Sequence, residues 1–330
     1  MVRRCALMFL LAVTTLALAA CGGSGGSESS ESGEGGGSDT RTVEHAAGES
    51  QVPKSPERVV VLDTAELDSA MTLGVKPVGA VEAVEGMGFP DYLGDTAGIE
   101  NVGTIEEPNL EKIATLEPDL ILSSNLRHEQ IYDQLSEIAP TVFTESTGAP
   151  WRENFQKHAE ALGKQEKAAE VVAGYESRLE EFKNTVEEPR PETSIVRFVP
   201  GDTRIYQKDS FIGTLLEDAG LPRPKPQDKD EFALLNVSEE AIPKMAGNVI
   251  FTTVYGNADE TARADITSSQ LWQELDAVQQ GRVYRVSDDT WMLGIGYTAA
   301  GEMLDDLFEY VPRDGSTGGG STTMETTSAG

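Results

Sequence analysis

Short apolar runs alternate with helix-like patterns along most of the chain. Residues 59–62 form an uninterrupted apolar run bounded by Pro56 and Asp63, which is typical of a strand buried on both faces of a sheet. Residues 65–73 follow with helical spacing and end at Gly74. Further strands are predicted at 77–81, 118–122, 140–143, 194–199, 248–251 and 282–286, and further helices at 109–116, 129–138, 211–219, 271–278 and 297–310. This alternation predicts an α/β fold with largely parallel central sheets.

One long amphipathic helix separates the two halves of this pattern. It is predicted over residues 165–187, about 30 Å long by the rise per residue, and Pro189 and Pro191 prevent it from continuing. Its apolar positions recur at steps of three and four, at Val172, Tyr175, Leu179, Phe182 and Val186. The sequence therefore predicts an N-terminal lobe over 53–162 and a C-terminal lobe over 192–312, joined by a stiff helix.

The N-terminus has the pattern of an export signal. Arg3 and Arg4 precede an uncharged, mostly apolar stretch over 6–20, which is shorter than the roughly 20 residues that a membrane-spanning helix needs. Leu18-Ala19-Ala20-Cys21 resembles the lipobox of bacterial lipoproteins, which implies cleavage before Cys21 and a lipid on its sulfur. We therefore expect a signal peptide over 1–20 and a lipid-anchored protein on the outer face of the cytoplasmic membrane.

Two segments are too polar to build a core. Residues 21–48 are rich in Gly, Ser, Glu and Thr and are predicted to form a disordered tether, and residues 313–330 a disordered tail. The two cysteines are Cys5 and Cys21, so the mature domain is expected to fold without an internal disulfide.

Net charge limits the partners. The chain has 56 acidic and 26 basic residues, a formal net charge of −30 at pH 7, and no basic stripe. Nucleic acid is therefore excluded, and the membrane is expected to be contacted through the lipid anchor alone. The acidity is interpreted as solvated surface, suited to a saline habitat, with attraction of cationic ligands as the alternative.

The sequence offers few catalytic groups. It has no Gly-x-Ser-x-Gly elbow, no phosphate-binding loop and no cysteine in the mature domain beyond Cys21. His45 falls in the predicted tether, and His128 and His158 are expected on helix surfaces, so no set of ligands for direct metal binding is predicted. We expect no enzyme and no cofactor.

Cationic and aromatic residues in predicted loops and strand ends are the candidate ligand contacts. Ligand sites of open α/β sheets lie beyond the carboxyl ends of the strands. Guanidinium groups there suit an anionic or chelated ligand, and aromatic rings supply apolar contact. The candidates are Arg127, Trp151, Arg197, Arg204, Tyr206, Tyr255 and Trp291.

A set of segments from about residue 53 to 312 resembles, in order, the periplasmic-binding-protein family that serves iron-siderophore and vitamin B12 ABC importers. They include PERVVVLD, LEKIATLEPDLILSS, SFIGTLLEDAGL, VSEEAIPKMAGNVIF and LWQELDAVQQGRVYRVSDDTW. The resemblance implies two lobes bridged by a rigid helix, a ligand in the cleft, and one glutamate on each lobe that docks into the permease. Glu111 and Glu240 match those motifs, with Glu239 as the neighbouring alternative.

The region 198–206, with Trp291, resembles the siderophore-binding branch of the family. The leading hypothesis is capture of a ferric siderophore, with the protein touching the chelator and not the iron, and delivery to an ABC importer by a monomer. A haem or cobalamin binding protein, a lipid-anchored hydrolase and a surface adhesin are the alternatives. The siderophore class and the permease stay open.

Overall fold

The computed structural model describes residues 39–312. The predicted signal peptide (1–20), the lipid anchor Cys21, the tether up to residue 38 and the predicted tail (313–330) lie outside the described residues. Within the described part, none of the helices has both the length and the apolar character needed to cross a membrane.

The strands, numbered in chain order, are β1 Thr40–His45, β2 Gly48–Pro53, β3 Val59–Val61, β4 Gly79–Glu82, β5 Glu100–Thr104, β6 Leu120–Ser124, β7 Thr141–Thr144, β8 Thr193–Val199, β9 Asp202–Tyr206, β10 Ala233–Leu234, β11 Val249–Val254 and β12 Val283–Arg285. The α-helices are α1 Thr64–Thr72, α2 Leu110–Thr115, α3 Asn125–His128, α4 Tyr132–Ile138, α5 Trp151–Leu162, α6 Gln165–Thr185, α7 Phe211–Asp218, α8 Arg263–Ser268, α9 Gln270–Gln273, α10 Asp276–Gln279 and α11 Tyr297–Tyr310. Single 3₁₀ turns lie at Asp91–Leu93, Glu129–Ile131 and Ala258–Glu260, a longer 3₁₀ helix at Glu239–Met245, and a π-helix at Asp289–Leu293.

Each lobe is built on a five-stranded sheet. The N-terminal sheet has the order β5-β4-β3-β6-β7 with all pairs parallel. The C-terminal sheet has the order β10-β9-β8-β11-β12, in which β8, β11 and β12 are parallel and β9 runs antiparallel to β8. The predicted α/β class with two lobes is confirmed.

The two sheets share one hydrophobic core on their inner faces. Successive side chains of a strand point to opposite faces, so Val61 of β3 joins the shared core while its neighbour Val60 packs on the outer face of the sheet. Phe251 of β11 enters the shared core from the other lobe, and Leu179 of α6 lies in it between them. The core therefore stiffens the junction between the lobes.

Helix α6 is the predicted bridge, and its start at Gln165 agrees with the prediction. It ends at Thr185, two residues early, because Val186 turns to extended backbone. Tyr175, Leu179 and Phe182 are buried, as the apolar stripe predicts. The lobe boundaries themselves stay a prediction.

The prediction of a tether that reaches residue 48 is wrong at its C-terminal end, because β1 and β2 form an antiparallel hairpin. Val43 and Val52 are fully buried in the shared core, and the Arg41 guanidinium donates to the carbonyl of Glu160 at 2.9 Å. Each of the two strands has only one large apolar side chain that points inward. So few apolar residues do not distinguish the hairpin from a tether by composition. His45 consequently lies in β1.

The helix predicted at 271–278 is also wrong, because Leu275 adopts extended backbone (ψ 132°) and divides it into α9 and α10. The short antiparallel strand β9, which follows the turn at Gly201, was not among the predicted strands. It matters for the site, because it carries Arg204 and Tyr206.

Candidate functional site

In the N-terminal lobe, an aspartate and an arginine meet at the carboxyl ends of the adjacent strands β3 and β6. Asp63 caps α1 by accepting from the backbone N–H of Thr64 at 2.6 Å, and its other oxygen accepts from Arg127 Nε at 2.7 Å. The Asp63 side chain is 1% exposed and that of Arg127 is 31% exposed. Burial alone would lower the pKa of Arg127, but Asp63 holds it above its usual range. Arg127 is therefore a fixed, permanently charged cation at this edge.

In the C-terminal lobe, Arg197 of β8 lies directly opposite Arg204 of β9. Arg197 donates to both oxygens of Asp288, from Nε at 2.8 Å and from Nη2 at 2.6 Å. Its third nitrogen, Nη1, donates to the hydroxyl of Tyr206 at 3.2 Å, and the ring centroid of Tyr255 lies 4.8 Å from its Cζ. Although burial favours the neutral form, Asp288 and Tyr206 raise the pKa of Arg197.

Arg204 is the more accessible member of this pair. Its Nε donates to Asp202 Oδ2 at 2.6 Å, and its side chain is 30% exposed. Tyr206 is buried, and Phe232 packs edge-on against it with the ring centroids 5.2 Å apart. Phe232 itself is 52% exposed, so its ring presents apolar surface at this edge. This edge thus combines a guanidinium group with an aromatic surface.

A single segment, residues 287–293, connects the two arginine sites. Asp288 at its start binds Arg197, and the carbonyl of Leu293 at its end accepts from the Thr64 hydroxyl at 2.6 Å. Thr64 follows Asp63, the partner of Arg127. Part of the segment is a π-helix, a rare conformation that is found frequently at functional sites. This segment therefore links the residues that follow β3 in the N-terminal lobe with β8 in the C-terminal lobe.

The structure places five of the predicted ligand residues near strand ends or in neighbouring strands, four of them in one cluster and one on the opposite lobe. Arg197, Arg204, Tyr206 and Tyr255 lie in the C-terminal lobe and Arg127 in the N-terminal lobe. Reasoning from sequence missed Asp63, Asp202 and Asp288. Asp63 and Asp288 each follow a strand closely, and that position is the signal that could have found them.

The two predicted tryptophans lie elsewhere. Trp151 is 2% exposed at the start of α5, where its ring packs against Tyr297 and its indole N–H donates to Thr214 at 3.0 Å. The expectation that it lies in a loop is wrong. Trp291 is 1% exposed, and its indole N–H donates to Asp306 at 2.6 Å. Both rings are covered by protein, so neither presents surface to a ligand in this conformation.

The histidines are also placed differently from expectation, since His128 and His158 are buried rather than on helix surfaces. His128 Nδ1 lies 2.6 Å from Ser123 Oγ, and its Nε2 lies 2.8 Å from the carbonyl oxygen of Ile105. Burial lowers the pKa of His128. Helix α3 turns His128 toward Ser123 of β6, and helix α5 turns His158 toward Ser69 of α1, which their isolated positions in the sequence do not reveal. Among residues 39–312, no group of three or more His, Cys, Asp or Glu side chains could hold a metal ion.

The two predicted docking glutamates are solvent-exposed. Glu111 lies in the first turn of α2, which follows β5, and Glu240 lies in the first turn of the 3₁₀ helix Glu239–Met245. The Ser238 hydroxyl donates to Glu240 Oε2 at 2.8 Å and lowers the pKa of Glu240. Both carboxylates are therefore available to a partner.

Two α/β lobes joined by one helix, with cations on the strand ends of both lobes, define a two-lobed solute-binding protein. A model described as periplasmic binding protein matches residues 59–290, and the chain belongs to this family. This membership confirms a substrate-binding protein over the enzyme hypothesis.

Individual relatives point the same way. The chain is 41% identical over 323 residues to the probable siderophore-binding lipoprotein YfiY of Bacillus subtilis (strain 168), covering 94% of this chain and 98% of that one. It is 28% identical over 278 residues to the iron(3+)-hydroxamate-binding protein FhuD of the same organism, covering 82% of this chain and 86% of that one. The crystal structure of Staphylococcus aureus SirA complexed with staphyloferrin B matches with a TM-score of 0.73 and 33% identity, over 82% of this chain and 98% of that one.

Proposed function

We propose that this protein captures a ferric siderophore in the cleft between its lobes and delivers it to an ABC importer. The observation that carries the proposal is the pair of arginine sites, Arg127 on one lobe and Arg197 with Arg204 on the other, joined by the segment 287–293. In a chain with a formal net charge of −30, these three guanidinium groups are each held in place by an aspartate, Asp63, Asp288 and Asp202. The names of its relatives supply the ligand class.

The chemistry of the ligand follows from the free edges of the guanidinium groups. Arg127 and Arg204 each use Nε to hold an aspartate, and their accessible side chains can turn the terminal nitrogens toward a ligand. Guanidinium binds carboxylate and other paired oxygen anions through parallel hydrogen bonds. In this account the chelator encloses the iron and the arginines bind the chelator, while Phe232 and Tyr255 contact its apolar parts.

The remaining parts of the proposal concern delivery. Glu111 and Glu240 dock into the permease, with Glu239 as the neighbouring alternative, and the exposure of all three supports this role. A lipid on Cys21 holds the protein outside the cytoplasm, in agreement with the lipoprotein relative. The protein acts as a monomer, because both docking glutamates must reach one permease.

The test is a calorimetric titration of the purified protein with ferric staphyloferrin B, ferric hydroxamates, ferric catecholates, ferric citrate, haem and cobalamin. We expect saturable binding of one ferric chelate and none of the iron-free chelator at the same concentration. Tight binding of haem or cobalamin alone would replace the siderophore by that ligand. No binding by any member of the panel would overturn the proposed function.

A further inference from the structure

A fully buried carboxyl group without a partner lies directly behind the Arg127 site. Glu66, in the first turn of α1, has 0% exposure, and neither of its side-chain oxygens has a hydrogen-bond partner among the described residues. The nearest basic group is His158 of α5, whose Nε2 lies 3.7 Å from Glu66 Oε1 and is also without a partner in the described part of the chain. Its other ring nitrogen, Nδ1, lies 2.9 Å from Ser69 Oγ. An ionised carboxylate in this position would pay the full cost of desolvation.

The contact between Glu66 and His158 is not an ion pair at neutral pH. Burial, and then the negative charge of Asp63, raise the pKa of Glu66 to about 8. Burial lowers the pKa of His158 to about 3. Both groups are therefore neutral at pH 7, and Glu66 carries a proton.

The charged groups around Glu66 link it to the cleft. Asp63, one turn earlier in the chain, raises the pKa of Glu66, and Arg127 of α3, which Asp63 binds, lowers it. The exposed Glu106 acts on Arg127 from the loop after β5. Farther along α1, Asp68 is turned away from this group.

Asp68 has partners of its own on the other elements packed against α1. It accepts from the backbone N–H groups of Thr298 and Ala299 at the start of α11, at 3.2 and 3.0 Å. It also interacts with the Tyr92 hydroxyl. The cation that acts on Glu66 is thus Arg127, through its charge and without a hydrogen bond, since Arg127 Nε binds Asp63.

We propose that Glu66 is a proton-binding site coupled to the ligand cleft through Asp63 and Arg127. The inference rests on the proposed function, because it requires an anionic ligand at Arg127. Such a ligand shares the positive charge of Arg127, so an ionised Glu66 would add a third negative charge around one cation. Ligand binding therefore favours the protonated carboxyl, and loss of that proton weakens the ligand by the same factor.

The first arm of the test needs no ligand. Infrared spectra of the unliganded protein between pH 6 and 10 report the carbonyl stretch of a buried protonated carboxyl, and we expect Glu66→Gln to remove one such band. In Arg127→Gln the band should titrate at a higher pH than in wild type, because the cation that favours ionisation is gone. Arg152→Gln, which removes a guanidinium paired with Asp218 instead, should leave the midpoint unchanged.

The second arm measures affinity for ferric staphyloferrin B as the probe. Between pH 7 and 9.5 the affinity of wild type should fall relative to that of Glu66→Gln by about fivefold or more, the usual lower size of coupling between linked sites. Taking the ratio cancels titration of the siderophore itself.

Three results would overturn the coupling. The first is the absence of a protonated-carboxyl band that depends on Glu66, and the second is a band whose midpoint does not move in Arg127→Gln. The third is an affinity ratio between wild type and Glu66→Gln that does not change between pH 7 and 9.5. The comparison of wild type with Arg127→Gln stands even if Glu66→Gln does not fold, since the Asp68 carboxyl is remote from Arg127 and would not shift. If wild type does not bind ferric staphyloferrin B, the affinity arm uses the ferric chelate that the titration panel identifies. If wild type binds no ferric chelate, the proposed function is contradicted, while the infrared comparison still decides whether Arg127 acts on the Glu66 proton.

Discussion

Asp288 holds the guanidinium of Arg197 through two parallel hydrogen bonds of 2.8 and 2.6 Å, with both side chains less than 10% exposed. The pair lies on the C-terminal lobe, yet Asp288 belongs to the segment that also contacts Thr64 on the other lobe through Leu293. Removing one partner of a buried charge pair leaves the other uncompensated. Asp288 is thus a positioning residue for Arg197, and it fixes one end of the segment 287–293 to β8.

Asp288→Asn is expected to weaken ferric siderophore binding about tenfold to a hundredfold, because one charge-assisted hydrogen bond contributes about 1.5–3 kcal/mol. Isothermal titration calorimetry measures the change. The matched control is Asp276→Asn in the first turn of α10, an exposed aspartate. Equal affinities of Asp288→Asn and wild type would show that Arg197 needs no orientation by Asp288.

The raised pKa of Glu66 predicts that the folded protein becomes less stable as pH rises. Its pKa is about 8 in the folded protein and 4.5 as an unperturbed side chain, so the folded state binds more protons between these values. The contribution of this proton to the free energy of unfolding is fully present below pH 4.5 and is lost as pH rises through about 8. The free energy of unfolding falls by up to about 1.4 kcal/mol per pH unit in this range.

Thermal unfolding of wild type and Glu66→Gln across this range checks the prediction. The melting temperature of wild type should fall relative to that of Glu66→Gln as pH rises from 5 to 9, and the difference should level off above pH 9. A difference that does not change with pH would mean that Glu66 is ionised throughout.

The hairpin β1–β2 makes a prediction about the start of the folded domain. Val43→Ala removes two methyl groups from a side chain with 0% exposure and should lower the free energy of unfolding by about 2 kcal/mol. Val84→Ala, at a position 40% exposed, is the control and should change it by about 0.5 kcal/mol or less. Denaturant unfolding distinguishes the two. If Val43→Ala leaves the free energy of unfolding unchanged, the hairpin does not stabilise the folded domain and belongs to the tether instead.

Charge reversal of the docking glutamates should block transport without affecting ligand binding. Glu111→Lys and Glu240→Lys should abolish iron uptake in cells while the purified variants bind the ferric chelate as wild type does. Glu166→Lys reverses an exposed glutamate in the first turn of α6 and should leave uptake intact. Uptake that is lost in Glu239→Lys but retained in Glu240→Lys would assign docking to the neighbouring residue.

The elements that sequence predicted best are those whose own pattern determines them. Helix α11 has the predicted bounds 297–310, and α6 begins at the predicted residue, because long apolar periodicity locates a helix without knowledge of its partners. The break at Leu275 and the hairpin β1–β2 depend on packing against distant residues. They could not be found from local composition.

The site was predictable to the same extent. The rule that ligand sites of open α/β sheets lie beyond the carboxyl ends of strands places Arg127 after β6, whereas Arg197 lies within β8 and Arg204 within β9. Two aspartate partners were not found because of their separation in sequence, since Asp63 and Arg127 are 64 residues apart and Arg197 and Asp288 are 91 apart. Asp202 lies two residues from Arg204 and was missed because β9, which puts both side chains on one face, was not predicted. Trp151 and Trp291 show the converse: an aromatic residue near a strand end can equally well fill the core.

The central claim is that one anionic chelate engages cations on both lobes. It is tested most directly by calorimetric titration of wild type, Arg127→Gln, Arg204→Gln and Arg178→Gln with the ferric siderophore that wild type binds. The account predicts that Arg127→Gln and Arg204→Gln each lose about tenfold or more in affinity, while Arg178→Gln, which removes an α6 arginine paired with Asp305, keeps wild-type affinity. Wild-type affinity in either cleft variant would contradict a ligand held between the lobes.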